Sequence, residues 1–230
     1  MDRFLHGIFL ICLLALPMAA LSQEGSAPDD PIESRDMRFN GGNVHFLEAE
    51  PEGEKRGTVL LLHGGRFSSE NWRELGTLDL LANQGYRVLA IDLPGFGASE
   101  ATNMPRERFL ASLLPLLTDQ PVVVVSPSMS GSFSFPLLTR RASYVAGFVA
   151  LAPVNIEQNL GSLRGNNLPA LLIWGQKDKT VPVKEGRQLN DALVNSRLVV
   201  FDGAGHPAYF EQARTFHEEL LTFLRSLGSP

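Results

Sequence analysis

Four consecutive valines at 122–125 stand directly before a turn of small polar residues, and this junction constrains the fold more than any other segment. An unbroken β-branched run predicts a strand buried on both faces, as in a parallel sheet covered by helices. The following residues, Ser-Pro-Ser-Met-Ser-Gly at 126–131, allow a sharp turn into a helix. Strand, tight turn and helix are the parts of a nucleophile elbow, which holds a serine hydroxyl exposed at the end of the sheet.

The elbow pattern is usually G-x-S-x-G, and here its two glycine positions hold Ser126 and Ser130. Serine is small enough for strand and helix to approach closely, so Ser128 is the candidate nucleophile. A serine-rich turn on its own is more typical of a loop or a helix N-cap. The assignment therefore depends on a base and an acid elsewhere in the chain.

Predicted strands and helices alternate along most of the sequence. This alternation predicts an α/β fold with a mostly parallel, doubly wound sheet and helices on both faces. A turn signal, Asn-Gly-Gly-Asn, also predicts a hairpin over 39–48. The predicted strands are 58–62, 86–91, 122–125, 146–152, 170–174 and 197–201, and the predicted helices are 72–84, 105–117, the helix after the elbow, 183–195 and 209–227.

Polar or glycine-rich clusters follow the predicted strands. In open parallel sheets, ligands bind outside the carboxyl ends of the strands. Residues 154–168 are all that separates two of the later strands, which leaves no room for a cap domain and predicts an open pocket for small acyl groups. A catalytic site is predicted where the clusters meet, at 63–66, 92–97, 126–131, 175–180 and 202–207.

A serine hydroxyl needs a neighbouring base, normally an imidazole oriented by a carboxylate. Two histidines follow Ser128 in the chain. His206 lies in the glycine-bearing loop after the last predicted strand, and His217 lies in the final predicted helix. A loop can turn its ring toward the elbow, so His206 is the predicted base and His217 a packing histidine.

The predicted carboxylate partner is Asp178, which follows a buried strand through Gly-Gln-Lys. Three alternatives are weaker. Asp202 is too near His206 along the same loop, and Glu157 lies in a stretch without strand character. Asp92 is better placed to cap the turn that follows it. The resulting chain order, serine then aspartate then histidine, is that of the α/β-hydrolases.

A tetrahedral intermediate also needs donors for its oxyanion. The backbone N–H of the residue after the nucleophile, Met129, is one candidate. The second is expected from the loop after the strand at 58–62, where Gly65 can turn its N–H inward. His63 in the same turn is expected to be a structural hydrogen-bonding residue.

The sequence contains no motif that indicates metal, phosphate-loop or dinucleotide binding. There is no H-E-x-x-H, C-x-x-C or G-x-x-x-x-G-K-[ST] element, and Gly-Phe-Gly at 95–97 lacks the third glycine of a dinucleotide fingerprint, so neither a cofactor nor a metal is expected. The net charge is −5 and no basic run occurs, which argues against nucleic-acid binding. The expected partner is a small acyl substrate.

The N-terminal segment, residues 1–22, has the pattern of a secretory signal peptide: Arg3, an apolar stretch, Pro17 and a small-residue site. Cleavage would remove the only cysteine, Cys12, and export the protein to the periplasm or medium. The alternative is an uncleaved membrane anchor. Residues 23–36 are expected to be a disordered spacer before a catalytic domain at 37–228.

Across 37–228 the sequence resembles the α/β-hydrolase superfamily, through Leu-Leu-His-Gly-Gly at 61–65, Asp-Leu-Pro-Gly-Phe-Gly-Ala-Ser at 92–99 and Gly-Ala-Gly-His-Pro at 203–207. Residues 63–72 and the elbow are similar to the alpha/beta-hydrolase domain-containing protein 14 subgroup. That subgroup also has serines in place of the elbow glycines.

The resemblance implies hydrolysis of small activated acyl esters. For one branch it implies removal of acetyl groups from lysine with coenzyme A as acceptor, and another branch is membrane-anchored. An exported protein would meet little coenzyme A, so water is the expected acceptor here. The predicted activity is that of a carboxylesterase-like serine hydrolase. The alternatives are an acyltransferase or lysine deacetylase, or a hydrolase-fold binding protein with little turnover.

Overall fold

A computed structural model describes residues 31–228, which form one eight-stranded sheet with the strand order β1-β2-β4-β3-β5-β6-β7-β8. β1 pairs antiparallel with β2, and β2 pairs antiparallel with β4. All other pairings are parallel, as predicted. The strands are β1 Ile32–Phe39, β2 Gly42–Ala49, β3 Gly57–Leu61, β4 Tyr86–Ile91, β5 Val122–Pro127, β6 Val145–Leu151, β7 Ala170–Gly175 and β8 Ser196–Phe201.

Helices cover both faces of the sheet and bury two separate apolar layers. Side chains of α3 to α6 pack on one face, and those of α1, α2, α7 and α8 pack on the other. Every residue of β5 is buried between the two layers, as its valine run predicts. The helices are α1 Glu70–Glu74, α2 Thr77–Ala82, α3 Arg106–Leu117, α4 Gly131–Arg140, α5 Ile156–Leu163, α6 Val183–Ala192, α7 Ala208–Glu211 and α8 Ala213–Ser226, with short 3₁₀ turns at Ser128–Ser130 and Ala142–Tyr144.

The hairpin extends further toward the N-terminus than predicted. β1 begins at Ile32, so residues 32–36 are a strand and not part of a disordered spacer. Most of their side chains are exposed and polar, and therefore give no apolar alternation to read. The antiparallel ladder holds them, with Ile32 opposite Ala49. The predicted signal peptide at 1–22 and the first part of the predicted spacer lie outside the described residues.

Two predicted helices are each divided in the structure. The helix predicted at 72–84 is two short helices separated by Gly76, whose φ of 72° is left-handed. The helix predicted at 209–227 breaks at Gln212, which has φ −127° and ψ 55°. Because of this break, α7, which directly follows the His206 loop, is a separate helix from α8.

The connection between β6 and β7 contains only α5, so the prediction of no cap domain is confirmed. Over residues 31–228, none of the helices combines the length and apolar character needed to cross a bilayer.

Candidate active site

The turn after β5 holds Ser128 in an uncommon backbone conformation, with φ at +47°. A positive φ is strained for a residue other than glycine and persists only where the surroundings hold it. Here the strand ends at Pro127 and a 3₁₀ turn leads into α4, while the N–H of Val154 donates to the carbonyl oxygen of Ser128 at 2.8 Å. This is the geometry of the predicted elbow.

The serines at the two usual glycine positions are fully buried and bond to their neighbours. Ser126 Oγ lies 2.9 Å from Ser130 Oγ and 2.7 Å from Ser134 Oγ. Ser130 Oγ also donates to the carbonyl oxygen of Pro127 at 2.8 Å. Because Ser130 has an ordinary helical φ of −65°, the position does not require glycine. Of the three elbow serines, only Ser128 lines the cavity at the strand ends.

The structure brings the three predicted catalytic side chains together. Nε2 of His206 lies 2.8 Å from Oγ of Ser128, and Nδ1 of His206 lies 2.7 Å from Oδ2 of Asp178. Oδ1 of Asp178 accepts the backbone N–H groups of Thr180 at 2.8 Å and Val181 at 2.9 Å. The Asp178 side chain is completely buried, whereas the His206 side chain keeps 22% of its surface exposed. The Ser128 hydroxyl is therefore within hydrogen-bond distance of Nε2 of His206, and the Asp178 carboxylate on the other side of the ring is held in place.

The loop that carries His206 is fixed against the end of β7. The N–H of Lys177 donates to the carbonyl oxygen of Ala204 at 2.8 Å, and Oε2 of Glu211 accepts the N–H of Gly205 at 2.9 Å. At Gly175 the two segments touch so closely that a Cβ would lie 1.9 Å from the carbonyl oxygen of Gly205. Only glycine fits there without moving the loop.

The rejected candidates lie elsewhere. Nε2 of His217 is 2.9 Å from Oγ1 of Thr77 in the packing between α8 and α2, where burial lowers the pKa of its imidazole. Asp202 and Glu157 are exposed. In the region the structure covers, neither carboxylate contacts His206.

His63 and Asp92 are both buried and both structural. Nδ1 of His63 donates to the carbonyl oxygen of Gly64 at 2.8 Å, and Nε2 accepts the N–H of Leu93 at 2.9 Å. Burial lowers the pKa of the His63 imidazole. Asp92 accepts the N–H groups of Ser69 at 2.6 Å and Ala98 at 2.8 Å, which is the turn-capping role predicted for it.

The candidate oxyanion donors lie side by side next to Ser128. A Cβ built on Gly65 would be 3.6 Å from Sδ of Met129, and both residues line the cavity that contains Ser128 and His206. The cavity has a volume of about 670 Å³, within the usual range for small-molecule sites. Between residues 31 and 228, no group of three or more His, Cys, Asp or Glu side chains is arranged to hold a metal ion.

The roles of four residues near the site were not predicted from the sequence. The backbone amides of Thr180 and Val181 orient Asp178, Glu211 supports the His206 loop, and Arg106 lines the cavity. Arg106 begins α3 and is far along the sequence from any strand end, so none of the strand-end clusters contains it. The turn after Asp178 did carry a signal, because aspartate often accepts amides two or three residues ahead.

Comparison with known sequences identifies the family of this chain. The model of the alpha/beta hydrolase family matches residues 59–168, and the model described as TAP-like protein matches residues 148–230. The chain is 40% identical over 208 residues to the Homo sapiens protein named "Putative protein-lysine deacylase ABHD14B", covering 85% of this chain and 98% of that protein. It is 34% identical over 232 residues to Rattus norvegicus ABHD14A, covering 96% of this chain and 95% of the relative.

Solved structures give the same fold. A CIB-like hydrolase from Thermoplasma acidophilum matches with a TM-score of 0.80 at 26% identity, covering 85% of this chain and 98% of that one. The CarC serine hydrolase involved in carbazole degradation matches with a TM-score of 0.71 at 20% identity, covering 84% and 99%, and shows the fold alone. Sheet, elbow and sequence together define an α/β hydrolase. Within that family, the chain belongs to the subgroup that contains ABHD14A and ABHD14B.

Proposed function

We propose that this chain is a serine hydrolase that cleaves small acyl esters or amides through an acyl-enzyme on Ser128. The observation that carries the proposal is the unbroken line of contacts from Ser128 Oγ through the His206 ring to Asp178, at 2.8 and 2.7 Å. A serine hydroxyl held in this way is activated by the neighbouring base.

In the proposed acylation step, Nε2 of His206 takes the proton of the Ser128 hydroxyl as Oγ attacks the carbonyl carbon. Asp178 keeps the ring in the tautomer with the hydrogen on Nδ1 and stabilises the imidazolium. The developing oxyanion is assigned to the N–H groups of Gly65 and Met129. Collapse of the tetrahedral intermediate breaks the bond to the leaving group, which receives the proton from His206.

Deacylation repeats the sequence with water. His206 removes a proton from water, the hydroxide oxygen bonds to the acyl carbon, and Ser128 leaves with the proton returned by His206. The products are a carboxylic acid and an alcohol or amine. No cofactor or metal takes part in this sequence of steps.

Labelling by a fluorophosphonate probe tests the proposal. The mature protein should be labelled, and Ser128→Ala should lose the label together with at least about 10³-fold of the esterase kcat. Ser130→Ala is the matched control, because it removes a hydroxyl two residues away that is buried and hydrogen-bonded. If the label persists on Ser128→Ala and disappears from Ser130→Ala, the elbow register is wrong.

A second candidate within the same chemistry is the hydrolysis of acyl-lysine amides, favoured by the 40% identity to the protein named as a protein-lysine deacylase. Mass spectrometry of an acetylated peptide incubated with the enzyme would detect loss of the acetyl group. Carrying out the reaction in ¹⁸O-labelled water identifies the acceptor: label in the released acetate indicates water, and its absence indicates acyl transfer. Labelling by the probe without turnover of any ester or peptide would favour a binding protein instead.

Export is the proposed location, from the signal-peptide pattern of residues 1–22. N-terminal sequencing of the protein recovered from cells tests this. A mature chain starting near residue 23 supports export, and a chain that retains residues 1–22 in the membrane fraction supports an anchor.

A further inference from the structure

The cavity beside Ser128 has two positively charged side chains in its wall and no negatively charged one. Arg66 and Arg106 line it, and no Asp or Glu is among its described lining residues. The chain as a whole has 25 acidic against 20 basic residues, so the charge of this wall is opposite to that of the whole molecule. A substrate entering the cavity therefore meets two positively charged side chains in its wall.

Neither guanidinium is neutralised by a neighbouring side chain. Over the described part of the chain, Arg66 and Arg106 form no ion pair. Cζ of Arg106 lies 5.5 Å from the centroid of the Phe133 ring. Such a cation–π contact positions the guanidinium and leaves its in-plane N–H donors available. Arg106 also lines a neighbouring cavity together with Glu107, but the two side chains form no ion pair.

The rest of the wall is mainly apolar. Arg66 and Arg106 are themselves exposed, so an anion bound to them stays partly solvated and the attraction is modest. The apolar part also offers a surface for a short acyl chain. The apolar lining residues are Phe67, Met129, Leu151, Val154, Pro207 and Tyr209.

We propose that Arg66 and Arg106 form an anion-binding subsite, so that the preferred substrates are acyl esters or amides that carry a carboxylate or phosphate group. The inference rests on the proposed hydrolase function, since it assigns the substrate class of the same site. Guanidinium groups bind carboxylate and phosphate oxygens through paired N–H donors. The anionic group can belong to the acyl part or to the leaving group, because both present the same oxygens to the arginines.

Matched pairs of esters test the subsite and locate the anion. In the first pair, meta-carboxyphenyl butyrate is compared with neutral meta-carbamoylphenyl butyrate, which places the charge on the leaving group. In the second pair, the phenyl monoester of adipic acid is compared with its neutral adipamide counterpart, which places the charge on the acyl part. In at least one pair, kcat/KM should be about three- to tenfold higher for the anionic ester, a magnitude set by partly solvated charge pairs.

Variants link that preference to the two arginines. Arg66→Gln and Arg106→Gln should each lower the ratio of anionic to neutral kcat/KM, and the double variant should bring it to about one. Arg108→Gln is the matched control, because Arg108 is exposed on the same helix and does not line the cavity. Higher salt should also reduce the ratio, since screening weakens exposed charge pairs.

Direct binding separates this inference from the proposed hydrolysis. On Ser128→Ala, which cannot form the acyl-enzyme, NMR titration should give tighter binding of the anionic ester than of its neutral partner. Arg106→Gln in that background should reduce the difference, and Arg66→Gln together with Arg106→Gln should remove it. Such binding with no Ser128-dependent turnover would reject the hydrolase and keep the subsite. Ser128-dependent turnover with a ratio near one in both pairs would reject the subsite, as would an equal effect of Arg108→Gln.

Discussion

Oδ2 of Asp178 lies 2.7 Å from Nδ1 of His206, and this contact determines which ring nitrogen faces Ser128. A carboxylate only accepts hydrogen bonds, so Nδ1 carries the hydrogen and Nε2 presents its lone pair to Ser128 Oγ at 2.8 Å. The other carboxylate oxygen is occupied by the amides of Thr180 and Val181. Asp178 therefore has one orientation available, and with it the His206 ring has one tautomer.

Asp178→Asn should lower kcat by about 10³–10⁴-fold, because an amide can donate to Nδ1 and stabilise the wrong tautomer. The fold should survive, since the amide oxygen can still accept the two backbone N–H groups. Steady-state ester hydrolysis and circular dichroism measure the two effects. Asp202→Asn makes the same change at an exposed carboxylate on the His206 loop and should leave kcat unchanged. An equal loss in both variants would contradict the assignment.

Gly175→Ala should reduce activity by displacing the His206 loop. The new Cβ would lie 1.9 Å from the carbonyl oxygen of Gly205 and 2.6 Å from that of Ala204, and backbone atoms cannot rotate away. The free energy of unfolding should fall by about 1–3 kcal/mol, the usual cost of overpacking. Both kcat and urea denaturation are measured.

Gly161→Ala is the control for that change. Gly161 lies inside α5 with nothing within 4 Å of its Cβ position. Alanine should stabilise the helix there by up to about 1 kcal/mol and leave kcat unaltered. Wild-type activity in Gly175→Ala would show that the loop does not depend on this contact.

The buried serines behind the elbow are predicted to act as one hydrogen-bonded unit. Ser134→Ala removes one partner of Ser126 and should cost about 1 kcal/mol of unfolding free energy. Ser126→Ala should cost more, because it leaves both Ser130 and Ser134 without that partner. The double variant should cost less than the sum of the single ones, because the Ser134 hydroxyl that Ser126→Ala alone leaves without this partner is then absent. Additive losses in urea denaturation would indicate independent sites.

His63 should make the protein less stable in acid. Burial holds the pKa of its folded imidazole below the ordinary value of about 6.5, and a proton on Nε2 would face the N–H of Leu93. As the pH falls through about 6.5, the unfolded chain takes up a proton that the folded one refuses, so the unfolding free energy decreases until the lowered folded pKa is reached. His217 contributes in the same direction. Ring-proton NMR should show the His63 imidazole titrating at a lower pH than the ordinary value, and a titration near 6.5 would contradict this.

The central part of the fold could be predicted because its signals are local. The valine run, the glycine turn after β4 and the loop before α7 each define an element within a few residues. The same signals place Ser128, Asp178 and His206 after the ends of β5, β7 and β8, where a parallel sheet brings them to one edge. The close agreement of the β4 bounds, Tyr86–Ile91, reflects a strand buried on both faces and closed by a turn.

The parts of the fold and of the site that the sequence did not predict depend on pairing and packing between segments that are distant along the chain. β1 is polar and exposed over residues 33–36, and only its ladder to β2 makes it a strand. The breaks at Gly76 and Gln212 depend on how the flanking helices pack on the sheet. Arg106 reaches the cavity because of the direction in which α3 starts, and no short motif encodes that direction.

The most direct test of catalysis through Ser128 is to trap the acyl group on the protein. The enzyme is mixed with a short acyl ester, quenched in acid during turnover, digested and mapped by mass spectrometry. The acyl mass is predicted on Ser128, and it should disappear as the ester is consumed. An acyl group on Ser126 or Ser130 would contradict the assignment of Ser128. Rapid turnover of the ester without an acylated serine, in the wild-type protein or in His206→Ala, would also contradict it.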